Sequence, residues 1–200
     1  MTIDEGYIKY HSHWSPGPAP GIKAAQQMDE SRRLLFAAGL IGYYPELDIG
    51  FGNISIRFGA PGQFLITGTQ TGSIARTNEN HYALVTGYDI ARNEVSCSGP
   101  VQASSEAMTH AAIYELNTEI GAIVHVHSKP LWDRHRDRLP TTRSEIAYGT
   151  PEMAYEFRRL YETTAFRSEG LAVMGGHEEG LISFAESLPQ ATAKVLALLD

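Results

Sequence analysis

Two hydrophobic periods run along this 200-residue chain. From Ile22 to Ala38, the apolar residues Ala25, Met28, Leu34, Leu35 and Ala38 recur at helical spacing with Asp29, Glu30, Arg32 and Arg33 between them, which predicts an amphipathic helix ended by Gly39. The period then falls to two. In FGNISIRFG, Ile54 and Ile56 alternate with Ser55 and Arg57, APGQ is a turn and FLIT is apolar, a pattern that predicts a hairpin. The glycine-rich loop TGTQTG leads into HYALVTGYDI and NEVSCSG, two more strands turning at Ala91, Arg92 and Asn93. EAMTHAAIYELN follows Ser104 and Ser105 and reads as a helix with a serine cap and an acid in its first turn, and AIVHVHS after Gly121 reads as a strand. A helix over Glu152 to Thr163, strands in LAVMGG and GLISFA, and a closing helix in SLPQATAKVLALLD complete the pattern.

Two segments carry no period. Residues 1–21 end in SPGPAPG, whose clustered proline and glycine predict an arm outside helix and sheet and leave 22–200 as a single domain. KPLWDRHRDRLPTTR mixes charges with two prolines and predicts a loop or lid. The early strands are joined by short turns rather than crossover helices, so the expected fold class is α/β, with helices around one central sheet that is antiparallel or mixed.

Composition narrows the function classes. With 42% hydrophobic residues the chain can bury a full core. A net charge of −7, with only four lysines among 16 cations, argues against a nucleic-acid binder or a protein of anionic membranes. Cys97 is the sole cysteine, so no disulfide framework exists within the chain. The N-terminal residues lack the basic-then-apolar pattern of a signal peptide, and no stretch approaches the roughly 20 apolar residues of a membrane span. The expected location is the cytoplasm. Eight histidines stand out in an otherwise ordinary composition.

His125 and His127 fall on one face of a predicted strand, about 7 Å apart along the chain, a spacing that suits two ligands on one metal and equally a polar surface face. The apolar neighbours Ile123, Val124 and Val126 favour the ligand pair, since buried imidazoles need partners. His177 follows a glycine pair at a strand end, and three neutral imidazoles favour zinc over magnesium or calcium. Glu106 opens a helix that runs through a short turn into the His125–His127 strand. It is either a helix-terminal acid or a carboxylate of the same site. Of the other histidines, His110 lies one turn after Glu106 and reads equally as a support for the site or as a buried core residue, His11 and His13 form a second pair in the arm, and His81 and His135 carry no signal.

The run ASSEAMTHAAIYELNTEIGAIVHVHS, with GNISIR upstream and AYGTPEMA and GGHEEGLISFAES downstream, resembles the class II aldolase/adducin family, which includes fuculose-phosphate aldolase and ribulose-phosphate 4-epimerase. The resemblance implies a layered α/β/α fold around a mainly antiparallel sheet and a homotetramer with sites at subunit interfaces. It also implies a divalent metal, usually Zn2+, with Mn2+ or Co2+ as alternatives. By it, His125, His127 and His177 match the metal-binding histidines, and Glu106 matches the carboxylate that serves as metal ligand and then as acid/base. Ser104, Ser105, Gly52 and Asn53 match the phosphate cradle, and Thr71-Gly72 fits its threonine-glycine pair better than Thr67-Gly68 does. The implied activity is zinc-dependent retro-aldol cleavage of a small hydroxy-ketone or sugar phosphate with stabilisation of an enediolate. The alternatives are a related epimerase or dehydratase, or a non-catalytic adducin-like interaction domain.

Two departures from the aldolases show in the sequence. The stretch from His127 to His177 is short for them, and no tyrosine occurs from Glu115 through Ala147, where those enzymes carry a proton donor. In its place Lys129, Arg134, Arg136, Arg138 and Arg143 gather five cations. They predict either a solvated segment paired with Asp133 and Asp137 or a lid that clamps an anionic substrate.

Overall fold

A computed structural model describes residues 6–200. Its centre is an eight-stranded sheet in the order β1-β7-β6-β5-β4-β8-β10-β9. The strands are β1 (His11–Pro16), β4 (Asn53–Arg57), β5 (Phe64–Thr67), β6 (Tyr82–Asp89), β7 (Glu94–Gly99), β8 (Ala122–His127), β9 (Leu171–Val173) and β10 (Gly180–Ala185). All neighbours run antiparallel except β1 and β7. A two-stranded ribbon, β2 (Gly42–Tyr44) and β3 (Ile49–Phe51), stands apart.

Helices cover both faces, giving the expected α/β/α layers. On one side α2 (Ala107–Leu116), α4 (Pro151–Thr163) and α5 (Phe166–Glu169) enclose a core that includes Met108, Ile113, Ile123, Phe157 and Ile182. On the other, α1 (Ile22–Ala37), α3 (Lys129–His135) and α6 (Leu188–Leu196) pack with Met28, Leu35, Val124, Val126 and Leu181. Strand β8 shows the logic. Its six residues are all buried, with Val124 and Val126 in one core and Ile123 in the other, because side chains alternate faces along a strand. Its histidines share the face of Ile123. Arg57 donates to the carbonyls of Tyr114, Asn117 and Ile120, tying the C-terminal end of α2 and the turn beyond it to β4.

Four expectations change. The arm's 11–16 stretch is a strand, parallel to β7 at the sheet edge, the one position where Pro16 is harmless because its missing N–H faces no partner. Lys129–His135 is a helix rather than a loop: the Ser128 side chain accepts from Leu131 N, Pro130 sits in the first turn, and only Leu131 and Trp132 face inward, too few to show a period. In α1 the buried face includes Asp29 and Arg32 while Leu34 is 57% exposed, so two of the four polar residues set between the apolar ones lie inside, and Glu30 and Arg33 face solvent. Helix α2 starts after Glu106, which stands at the N-cap position with no side-chain cap of its own. No helix among the described residues is long and apolar enough to cross a membrane.

Candidate active site

The C-terminal end of β8, the turn from β9 into β10 and the start of α2 meet at one place. His125 and His127 come from β8, and β10 lies alongside with Gly180 opposite His127. His177 stands in the turn just before β10, and Glu106 enters from the N-cap of α2. One nitrogen of each imidazole lies within 4.8 Å of the others, and all three rings are buried. The Nε2 atoms of His125 and His127 are 3.0 Å apart. His125 Nδ1 donates to the Leu181 carbonyl at 3.0 Å, which places the ring's other nitrogen, as an electron-pair donor, toward its companions.

Glu106 is 1% exposed, and neither carboxylate oxygen accepts a hydrogen bond among the described residues. Its Oε1 lies 3.4 Å from His177 Nδ1. Burial works against the charge, yet the adjacent imidazoles of His177 and His125, with the Thr109 hydroxyl, hold the carboxyl below the ordinary carboxylate range. A buried carboxylate with no strong hydrogen bond of its own, beside three converging imidazoles, is a donor set that fits a cation. Nitrogen and carboxylate donors together suit zinc.

Aromatic rings enclose the cluster. Tyr148 stacks on His177 with centroids 4.4 Å apart, Phe51 lies 5.6 Å from His127, and Lys9 Nζ sits 3.8 Å over the Tyr148 ring. Tyr44 packs on Phe51 and donates its hydroxyl to Glu179. Beneath the cluster, His110 Nδ1 and the Tyr114 hydroxyl both meet Ser55 Oγ, at 2.7 and 2.8 Å. Burial pushes the His110 imidazole down to about 3, so it is neutral at ordinary pH.

Next to the metal-type cluster is a polar cavity. Gly52, Asn53, Thr71, Gly72, Ser104 and Ser105 all line it, together with Gly6, Gly50 and Gly68. Thr67 does not: it lies in β5, where its Oγ1 accepts from Ile54 N. The N–H groups of Thr71, Gly72 and Ser105 make no hydrogen bond among the described residues. Asn53 presents a buried Oδ1 with no hydrogen-bond partner among the described residues. Gly52 breaks the run from β3 to β4 at φ +75, a conformation that favours glycine, and any Cβ there would strike Ile41 at 2.7 Å. Ser104 Oγ accepts from Glu106 N at 3.3 Å, and the hydroxyl of Tyr10 donates to the Ser104 carbonyl at 2.9 Å. One backbone turn thus carries both the cavity's serines and the cluster's carboxylate.

Sequence reasoning missed Arg32, Asp29, Tyr10 and the Tyr148 stack. Arg32 donates to the carbonyls of Thr71, Gly72 and Ile74, and Asp29 Oδ1 accepts from Thr77 N and Oγ1. The signal available was their spacing, since Asp29 and Arg32 fall on the stripe running from Met28 to Leu35. The cations of 129–143 do not converge on the cluster. Lys129 pairs with Asp133 and Glu178, Arg143 with Glu156, Arg136 stacks on Trp132 and Arg134 reaches the Leu198 carbonyl. His11 and His13 are exposed on edge strand β1, across the sheet from β8.

The sequence profile of the class II aldolase and adducin N-terminal domain matches residues 33–198, and the chain belongs to that family. No curated protein sequence gives a significant match. Among solved structures, an L-fuculose 1-phosphate aldolase superposes with a TM-score of 0.66 at 18% identity, covering 90% of this chain and 84% of its own. A sugar-phosphate aldolase from Thermotoga maritima gives 0.65 at 18%, covering 88% and 90%. The L-fuculose-1-phosphate aldolase of Thermus thermophilus gives 0.61 at 21%, covering 88% of each chain. At these identities the likeness is one of fold.

Proposed function

We propose that this chain is a metal-dependent lyase that cleaves a small phosphorylated hydroxy-ketone or sugar phosphate by retro-aldol chemistry. The observation that carries the reading is the shared turn at Ser104 to Glu106, which holds a buried carboxylate against three imidazoles on one side and open amides against a cavity on the other. His125, His127 and His177 would hold zinc, which when bound supplies Lewis acidity toward a carbonyl oxygen.

The remaining work falls to the chain's own groups. The N–H groups of Thr71, Gly72 and Ser105, with the serine hydroxyls, bind a phosphate without a basic side chain in the cavity, which reconciles an acidic protein with an anionic substrate. Fixing the phosphate sets the position of the carbon chain relative to Glu106. The Glu106 carboxylate accepts the proton of the substrate hydroxyl as the carbon–carbon bond breaks and returns a proton to the carbon left behind. Tyr148 and Phe51 keep water from the imidazoles. By family likeness the active form is a homotetramer, which light scattering checks.

Metal analysis of the purified protein, followed by a panel of ketose and aldose phosphates assayed with and without a chelator, tests the reading. Expected are bound zinc, chelator-sensitive cleavage of at least one phosphorylated substrate, and a loss of about 10²–10⁴-fold in kcat for Glu106→Gln with the metal retained. A metal-free protein unaffected by chelator, or a panel epimerised or dehydrated rather than cleaved, overturns it.

A further inference from the structure

The cavity's least expected neighbour is a buried cation outside it. Arg32, on α1, is 1% exposed and does not line the cavity. Its guanidinium hydrogen-bonds only to carbonyl oxygens, those of Thr71, Gly72 and Ile74, and forms no ion pair with a carboxylate among the described residues. Asp29, the acid nearest in sequence on the same helix face, is engaged with Thr77 N and Oγ1 at 2.7 and 2.9 Å. Asp29 lies close enough to favour the charge but makes no direct ion pair with it, so Arg32 is a buried cation held by carbonyl oxygens and only partly offset by a neighbouring acid.

The geometry of the peptide unit links this cation to the cavity. Every peptide bond among the described residues is trans, so a carbonyl and the N–H of the same unit point in opposite directions. The Thr71 carbonyl, held by Arg32 Nη2 at 2.7 Å, shares its unit with the Gly72 N–H. Holding that oxygen toward Arg32 turns the Gly72 N–H away from it, and the same charge polarises the unit and strengthens the N–H as a donor. The structure leaves that N–H open. It has no partner among the described residues, and the position that would cover it is Gly50, where a Cβ would stand 2.9 Å from Gly72 N.

We propose that Arg32 is a positioning residue of the anion cavity: from behind the loop it aims the Gly72 N–H at a bound phosphate group and adds buried positive charge to that phosphate's surroundings. This rests on the reading of the cavity as a phosphate site given above.

The probe is inorganic phosphate, titrated calorimetrically into the metal-loaded chain and into Arg32→Gln and Arg32→Lys. Wild type binds. Arg32→Gln binds at least about tenfold more weakly, as expected for loss of charge-assisted hydrogen bonds, while its zinc affinity stays unchanged. Arg32→Lys falls between the two, since it keeps the charge but cannot reach three carbonyls at once. In turnover, KM for the phosphorylated substrate rises with kcat nearly constant. A second measurement needs no variant: on adding phosphate to wild type, the Gly72 amide proton moves downfield in an NMR titration.

The outcomes separate the inference from the reading beneath it. Wild type that fails to bind phosphate overturns both. Wild type that binds, with Arg32→Gln binding equally well, overturns only the role of Arg32. Equal losses of zinc and phosphate affinity overturn it too, because they would mark Arg32 as support for the fold in general. Where Arg32→Gln does not fold, an unmoved Gly72 amide at saturating phosphate overturns it alone.

Discussion

The histidine cluster and the polar cavity lie side by side and are built from opposite materials. The cluster is made of side chains, His125, His127, His177 and Glu106, presented by a strand, a turn and a helix start that are each held in the sheet or against it. The cavity is made largely of backbone, with glycines at Gly50, Gly52, Gly68 and Gly72 and N–H groups left open by loops. The difference is chemical. A transition metal is selected by donor type and needs particular side chains, whereas a phosphate is satisfied by any array of N–H groups that can approach it closely. The two halves therefore fail differently when altered.

The largest effect belongs to the cluster. His127→Ala removes one of three converging nitrogens, and catalytic activity should fall by more than the roughly 100-fold that even a ligand's hydrogen-bond partner is worth. Zinc content should fall with it, while calorimetry still detects phosphate binding at the cavity. Loss of phosphate binding in parallel would mean the two halves are one cooperative unit, and the contrast between them would break down.

The converse substitution is Gly72→Ala. A Cβ there would stand 2.0 Å from the Gly42 carbonyl and 2.9 Å from Phe51 N, so the loop must shift. Such overpacking costs about 1–3 kcal/mol of stability, and a displaced amide should raise KM for the phosphorylated substrate about tenfold or more. Zinc content should not change. An unaltered KM would show that the cavity does not take the phosphate.

The two materials were also unequally legible in the sequence. Side-chain chemistry leaves residue types in place: the alternation of His125 and His127 with Val124 and Val126 read directly as a strand with two faces, and the short link from Glu106 placed the acid in the same unit. Backbone chemistry leaves only glycine. Gly52 and Gly72 were found through the resemblance, not through local pattern, and Gly50 not at all. Arg32 and Asp29 were misplaced on a solvent face because a helical period scores polar residues as exposed, while a buried polar residue is recognisable only once its partners, here the loop from Thr71 to Thr77, are folded against it. The edge strand β1 escaped for a related reason: its exposed side chains alternate little, and its place is set by pairing with β7 rather than by burial.

The smallest effect sharpens where the cluster ends. Ser55 lies two residues from Asn53 on β4, and its hydroxyl joins His110 Nδ1 to the Tyr114 hydroxyl in the core under the imidazoles. Ser55→Ala leaves two buried polar groups without that partner, which should lower stability by about 1–3 kcal/mol in denaturant unfolding. His110 is neutral and donates its backbone N–H to the Glu106 carbonyl, so it supports the helix start rather than the metal directly. Zinc affinity, phosphate affinity and kcat should each stay within about twofold of wild type, a change of under about half a kcal/mol. A tenfold fall in zinc affinity in this variant would instead extend the cluster downward through His110, and the division between side-chain site and backbone site would have to be drawn one layer deeper in the core.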